Sequence, residues 1–552
     1  MADLVMGAPA TTGDDQQLTT TMLFEHAARS FGDQEIVYRD QSGTWRRTDY
    51  TTTWDRIRSV AAGLQAHGVG PGDRVGLLLW NDIRHFESYF AIPALGATMV
   101  QLNLRLSPSE LAYIVEHAQV TRIVVDETLL PLAEALTEHI PELQLWIVCS
   151  DAGTETPQAP SPAVSYEELA ATDPQALKLP DLDERTASGA CYTTGTTGRP
   201  KGVLYSHRST WLHAHSIAVN STMSERDTVM FLTPMFHVQC WGLPYAAVAT
   251  ASRMVLPGRF TLQDTALLVD AFVDHQVTFA PAAPAILAPM LHHFEKLDEA
   301  PDLSGVRMIC GASEPSLAMM RGIYELTGAE VVHAYGATET SPIVSVNRLT
   351  PPLEGQLNDD EIWNLRRSQG VPVIGVDLKV VDPGGTPLAH DGESVGEICV
   401  RGPWITQSYY DNPEASSDAF DDDGYWRSGD IGTVDKHGFL KITDRLKDVI
   451  KSGGEWISSI DMENQLAGMA QVAEVAVLGV PHPKWEERPL VLIVTAEGQN
   501  VTLGDVREAL SGRFADWQLP DKIEVVDEIP RTSVGKINKR GLRELYADAY
   551  SG

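Results

Sequence analysis

The sequence predicts an α/β protein that gives way, near its C-terminus, to a small α+β unit. Three observations carry that expectation. A chain of 552 residues is too long for one hydrophobic core and requires a large domain with at least one smaller companion. Helix-like and strand-like segments alternate through the first third, the pattern of parallel strands joined by crossover helices. Toward the end, glycines become frequent and strands short and alternating, which suits an antiparallel lobe followed by a compact unit of the length of a small α+β domain.

The elements follow in order. In "TWDRIRSVAAGLQAHG", Trp54, Ile57, Val60, Ala61 and Leu64 fall on one helical face and Gly68 stops the helix. "DRVGLLLW" is a short buried strand, "FESYFAIPALG" a helix and "TMVQLN" a strand. A turn-and-cap signal opens the helix in "SPSELAYIVEHA", and "RIVVD" is the next strand. Residues 150–185 are rich in Pro, Ala and acid and read as a surface connection. "VGEICVRG", "GYWRSGDIGTVD" and "GFLKITDRLKDVIKSGG" supply the antiparallel strands. The expected organisation is a loose tail over 1–20, a large domain over 21–446 and a small domain over 447–552, the boundary falling at Lys447.

Composition excludes several function classes. A net charge of -33 repels nucleic acid and anionic lipid and offers no basic stripe for either. The five cysteines, Cys149, Cys191, Cys240, Cys310 and Cys399, lie far apart without a C-x-x-C pair, which argues against a zinc knuckle or disulfide framework and for a reducing compartment. The N-terminus has no basic region followed by an apolar run. The most apolar long segment, "WGLPYAAVATASRMVLPG", is interrupted by Pro244 and Arg253, so no transmembrane segment is expected and the location is read as cytoplasmic.

The chemistry begins with "YTTGTTGRPKG", Tyr192 to Gly202. Glycines for close approach, threonine hydroxyls and a lysine beyond a proline together suit phosphate oxygens, although a solvated turn has the same composition. The spacing departs from G-x-x-x-x-G-K-[ST], so it is not the loop of the common nucleotide hydrolases. Other stretches supply the rest of a nucleotide site. "HAYGATETSP" offers the ring of Tyr335 to a base, the hydroxyl of Thr338 and, in Glu339, a hard oxygen ligand for Mg²⁺. Asp430 in "YWRSGD" can accept from ribose hydroxyls, "DRLKD" adds Arg445, and "PRTSVGKINKR" carries Lys536 in a Gly-flanked segment near the C-terminus.

These five stretches, in this order and over nearly the whole chain, resemble the adenylate-forming superfamily of acyl-CoA synthetases, luciferases and peptide-synthetase adenylation domains. "PMFHVQCWGLPYAA" and "IKSGGEWISSIDMEN" look specifically like bacterial medium- and long-chain fatty acyl-CoA synthetases. The resemblance implies a large adenylate-forming domain of two α/β subdomains plus a small β-barrel-like lobe, and a small mobile α+β C-terminal domain. It implies a fatty acyl-CoA ligase using ATP, Mg²⁺ and CoA: a carboxylate attacks the α-phosphorus, pyrophosphate leaves, and a thiol then displaces AMP. Thr193, Thr194, Gly195, Thr196, Thr197 and Lys201 would hold phosphates. Gly311, Ala312, Ser313, Tyr335, Gly336, Asp430 and Arg445 would surround the adenosine, and Glu339 would hold the metal. Lys536, Thr338, Glu339 and His237 would be the catalytic set, with His237, Trp241 and Tyr245 at the acyl gate, Lys447 at the hinge, and Gly453 and Gly454 along the thiol tunnel. A homodimer is common in the resembled group. Ala312, Glu314 and Gln239 depart from the expected pattern. Glu314 is either a charge at the pocket rim or a selector of a polar acid. The competing reading keeps adenylation but changes acid or acceptor, to a carrier-protein thiol, an amine or a diazotase-like coupling.

Overall fold

A computed structural model describes residues 5–8, 10–13, 15–155, 158–193, 199–261, 263–453, 455–496, 498–531 and 537–550. Its helices begin where the sequence provides caps. Asp49 accepts from Thr52 N at the start of Tyr50–Ala66, and a capping box between Ser107 and Glu110 opens Pro108–His117.

Two large sheets position the chemistry. One runs in spatial order through strands Ala163–Ser165, Leu145–Cys149, Arg122–Asp126, Arg74–Leu78, Thr98–Gln101, Ala187–Tyr192 and Gly202–Ser206, parallel throughout except for the last pair. The stretch 193–201 therefore connects its two final strands. The other sheet has nine strands. Its parallel run ends at Glu330–Gly336, which then pairs antiparallel with Ile343–Val346 through an irregularity at Tyr335/Gly336. Both motif stretches thus leave the carboxyl ends of parallel strands, where open α/β sheets characteristically bind ligands. A four-stranded antiparallel sheet, Asp377–Val381, Gly396–Arg401, Trp426–Val434 and Leu440–Arg445, forms the lobe read from the glycine-rich stretches.

The remaining sheet, assembled from residues 450–525, packs with helices Ser459–Leu466, Leu503–Leu510 and Lys539–Leu545. Apolar packing divides the same way. The cores centred on Phe24, Phe272 and Ile123 draw on residues up to Leu440, whereas those around Ile450 and Leu478 draw on residues from Ile450 onward. Among the described residues no apolar cluster crosses this divide.

One expectation needs correction. Within 150–185, strand Ala163–Ser165 pairs with Leu145–Cys149, and the helix Tyr166–Ala170 buries Tyr166 and Leu169. Glu167, one of its acids, is structural rather than solvated. Glu167 bonds Arg56 at 2.9 Å and Arg84 at 2.8 Å, and Arg56 bonds the fully buried Glu87 at 2.6 Å, which also accepts from Tyr166 Oη at 3.0 Å. The partners lie far away in sequence, so composition alone makes the segment look like a linker. No helix among the described residues is long and apolar enough to cross a membrane. Arg56→Met is expected to cost about 3 kcal/mol in urea unfolding, because the buried Glu87 would lose its ion-pair partner and retain only the Tyr166 hydroxyl. Adding Glu87→Leu should recover most of that loss, and a double variant no more stable than the single one would contradict the account.

Candidate active site

The neck of the Thr/Gly loop is closed by two bonds: Thr193 N donates to Lys201 O at 2.9 Å, and Lys201 N to Thr193 Oγ1 at 3.2 Å. Thr194, Gly195, Thr196 and Thr197, the body of the predicted phosphate cradle, lie outside the described residues. Beside the neck, Lys201 Nζ sits 4.6 Å from the ring centre of Tyr409, whose hydroxyl donates to Glu339 Oε1 at 2.7 Å. Burial pushes the Glu339 carboxyl above its usual range, while the Tyr409 hydroxyl and the Lys201 charge oppose that shift. Glu339 stands on the tight turn Thr338–Thr340, pinned by Thr406 N to Glu339 O at 2.8 Å and by Tyr205 Oη to Thr338 O at 2.8 Å. Sequence reading missed Tyr205 and Tyr409. Neither lies in a motif, and a tyrosine in "QSYYDNP" carries no signal of the carboxylate it meets in space.

The adenosine-side residues converge. Asp430 and Arg445 face each other in register on neighbouring strands, with Arg445 Nε 3.1 Å from Asp430 Oδ1. Tyr335 Oη donates to the other oxygen, Oδ2, at 2.5 Å. Asp430 holds the Arg445 guanidinium well above its already high range, and burial does the same for the Tyr335 phenol. The exposed Ala312 adopts a left-handed φ of +70°, which is why a second glycine is the natural residue of such a turn. Gly336 is required outright, since a Cβ there would lie 1.8 Å from Pro342 O.

The gate stretch has an unusual backbone. Val238, Gln239, Cys240 and Trp241 take φ values of 47°, 53°, 51° and 57°, and Gly242 completes the left-handed turn at 74°. Each non-glycine residue there costs about 1–2 kcal/mol relative to ordinary backbone, so surrounding packing must hold the turn. The Trp241 ring lies against Gly311, where an added Cβ would meet it at 3.2 Å. His237 opens the turn, its carbonyl accepting from Cys240 N at 3.1 Å. Gln239 is buried with its Nε2 unpartnered, pressed on Gly189 beside Met99. Tyr245 departs from the gate expectation: it packs in an aromatic core with Tyr89 and Phe90, ring centres 5.5 and 5.4 Å away.

Lys447 follows the last lobe strand. Burial, then the charges of Arg445 and Arg543, draw its amine down to about 8. Arg543 Nη1 donates to Lys447 O at 3.2 Å and its Nη2 pairs with Asp448. Gly453 turns the hairpin between Ile450–Ser452 and Glu455–Ile457 with φ +65°, its N–H bonded to Trp485 O at 2.9 Å. Gly454 and Lys536 lie outside the described residues. Arg367 pairs with the Glu314 carboxylate and Asn464 Nδ2 approaches the same oxygen at 3.3 Å.

Comparison with known proteins identifies the family. The family described as AMP-binding enzyme matches residues 24–410, and the AMP-binding enzyme C-terminal domain matches 461–536. A long-chain-fatty-acid–CoA ligase of Thermus thermophilus is 42% identical over 99% of this chain and 99% of its own. A 3-methylmercaptopropionyl-CoA ligase of Ruegeria lacuscaerulensis is 39% identical over 97% of this chain and 99% of its own. Among solved structures, the anthranilate CoA ligase AuaEII in complex with anthranoyl-AMP superposes with a TM-score of 0.83 at 25% identity, covering 98% of this chain and 100% of that one.

Gln239→Leu, which removes the unpartnered amide at similar volume, is expected to stabilise the chain by about 1 kcal/mol in urea unfolding. Equal or lower stability would mean that the amide is satisfied in solution.

Proposed function

Because the chain belongs to the AMP-binding enzyme family, we propose that it is an ATP-dependent acid–CoA ligase that activates a fatty acid as acyl-AMP and passes the acyl group to CoA. The observation that carries this reading is the meeting of Tyr335, Asp430 and Arg445 from two sheets at one clamp, with the Lys201, Tyr409 and Glu339 line as its neighbour along the 335–339 stretch. The names of the Thermus and Ruegeria relatives support CoA as acceptor and a carboxylic acid as substrate. The polar-acid alternative loses one support, since Glu314 is engaged by Arg367.

The first step crowds negative charge at phosphorus, and cations with aimed donors relieve it. Lys201 and the threonines of the loop would take the β- and γ-phosphates, and Lys536 would bridge carboxylate and α-phosphate. Mg²⁺ fits the residues present: Glu339 is a single, largely desolvated carboxylate on a fixed turn, and this ion commonly takes one or two carboxylates with substrate phosphates and water. When bound it would neutralise charge on the leaving pyrophosphate. Tyr335 would stack on the base while its hydroxyl orients Asp430 toward the ribose, and Arg445 would hold the other oxygen of that carboxylate. Thr338 would line the same turn, and His237 and Trp241 would border the acyl entry.

One site cannot present Lys536 to phosphorus and also admit a thiol along the line of attack, so the small domain would swing at Lys447 between steps. The separation of apolar cores on either side of that residue supports independent movement. Gly453 and Gly454 would then offer a smooth backbone edge to the thiol. The same reading includes a homodimer and a cytoplasmic location. The five cysteines, all buried free thiols, suit a reducing compartment.

Pyrophosphate release and acyl-CoA formation, measured over saturated acids of graded chain length with and without CoA, test the assignment. Turnover with medium or long acids that yields acyl-CoA is expected, and indifference to every fatty acid would overturn it. Lys536→Ala should slow adenylation on the order of a hundredfold while transfer from a supplied acyl-adenylate continues. Tyr335→Phe should raise the KM for ATP about threefold to tenfold, because one hydrogen bond to Asp430 is lost and the ring is kept.

A further inference from the structure

Glu314 follows the turn of Gly311, Ala312 and Ser313 by a single step, yet its side chain turns toward the small domain. It is 11% exposed, and Arg367, its partner, 14%. Arg367 Nη2 stands 3.6 Å from Asp461 Oδ1, and Asn464 Nδ2 stands 3.3 Å from Glu314 Oε1. Asp461 and Asn464 both lie on helix Ser459–Leu466, the first helix beyond Lys447. Within its own domain Asp461 is also met by Arg513 at 3.4 Å, so it does not depend on Arg367 for a counter-charge. On the other side, Arg367 O accepts from His333 Nδ1 at 2.7 Å, two residues before Tyr335 on the same strand. The tie is therefore attached at both large-domain ends to segments that flank the nucleotide side of the site.

We propose that Glu314 is a positioning residue that, through Arg367, Asp461 and Asn464, holds the small domain in one orientation and so sets the balance between the two half-reactions. The inference rests on the two-step ligase reading above. When the small domain swings, the Glu314 and Arg367 pair stays together within the large domain, whereas the contacts to Asp461 and Asn464 must be released. Release costs one hydrogen bond to a charged group and part of an ion pair, which corresponds to about a tenfold shift in the population of orientations. That is large enough to bias the cycle and small enough for each turnover to break it.

The test uses the full chain with Glu314→Gln, Asn464→Ala and Asp461→Asn. Adenylation is followed by pyrophosphate exchange, and thiol transfer is followed separately from a supplied acyl-adenylate and CoA. The expected result is a change of about fivefold to tenfold in the ratio of the two rates, in the same direction for all three variants, with the KM for ATP of Asn464→Ala within about twofold of the parent. Thermal unfolding of each variant accompanies the rates, since loss of fold lowers both half-reactions together and leaves their ratio alone. If the parent runs both half-reactions and the variants keep its ratio, or shift it in opposite directions, the tie is overturned and the ligase assignment stands. If the parent runs neither, the assignment itself fails and the tie falls with it.

Discussion

The structure turns on Asp430. Its two oxygens are held by residues from different sheets, Tyr335 from the end of the nine-stranded sheet and Arg445 from the next strand of the antiparallel lobe. A carboxylate 5% exposed would lose much solvation without such partners, and here each oxygen has one aimed at it. The bond to Tyr335 fixes the lobe against the large sheet, and the bond to Arg445 fixes the strand from which the chain departs toward Lys447. Where the Tyr335 ring sits, how the lobe is set and the direction in which the chain leaves it are thus tied to one desolvated group.

The same logic extends along the 335–339 stretch. The irregularity at Tyr335/Gly336 lets the strand end in a tight turn, and the turn aims Glu339 at Tyr409, itself under Lys201. A chain with a net charge of -33 needs its cations placed locally if it is to accept a polyphosphate. Lys201 and Arg445 are held by an aromatic face and a carboxylate respectively, contacts that fix where their charges sit.

Much of this was legible in the sequence, for identifiable reasons. Helix Pro108–His117 and strand Arg122–Asp126 carry their signals within a few residues, a capping box in one and an unbroken apolar run in the other. Tyr335, Asp430 and Arg445 could be named because each sits in a motif, and the structure brings them within bonding distance. What sequence could not give are the pairings that join distant stretches: Tyr409 to Glu339, Glu167 to Arg56 and Arg84, Arg367 to Glu314. Glu167 and Glu314 share one physical reason for being illegible: the partner of an acid is not in its local sequence, and the arginines that meet these two lie 53 to 111 residues away. The left-handed turn at Val238–Gly242 was equally hidden, because a valine and a tryptophan are among the last residues that local preference would assign to that backbone.

The proposed swing of the small domain would place a demand on the interface, and the composition of the interface suits it. Two domains sharing an apolar core would pay the full burial energy at every swing, which no single ligand contact could offset within a turnover. Among the described residues the apolar clusters stop short of Lys447 on one side and resume at Ile450 on the other. Among the described residues, what spans the gap includes single polar contacts: Ser459 N to Asp444 at 2.6 Å, Ser458 Oγ to Thr443 O at 2.5 Å, Asn464 to Glu314, and Asp461 to Arg367. Contacts of this kind are directional, so they define an orientation, and each is modest in energy, so they release it. Asp444 lies on strand Leu440–Arg445, just before Lys447, whereas Glu314 is met by Asn464 across 150 residues of sequence, so of these contacts it is the one that joins the most distant stretches.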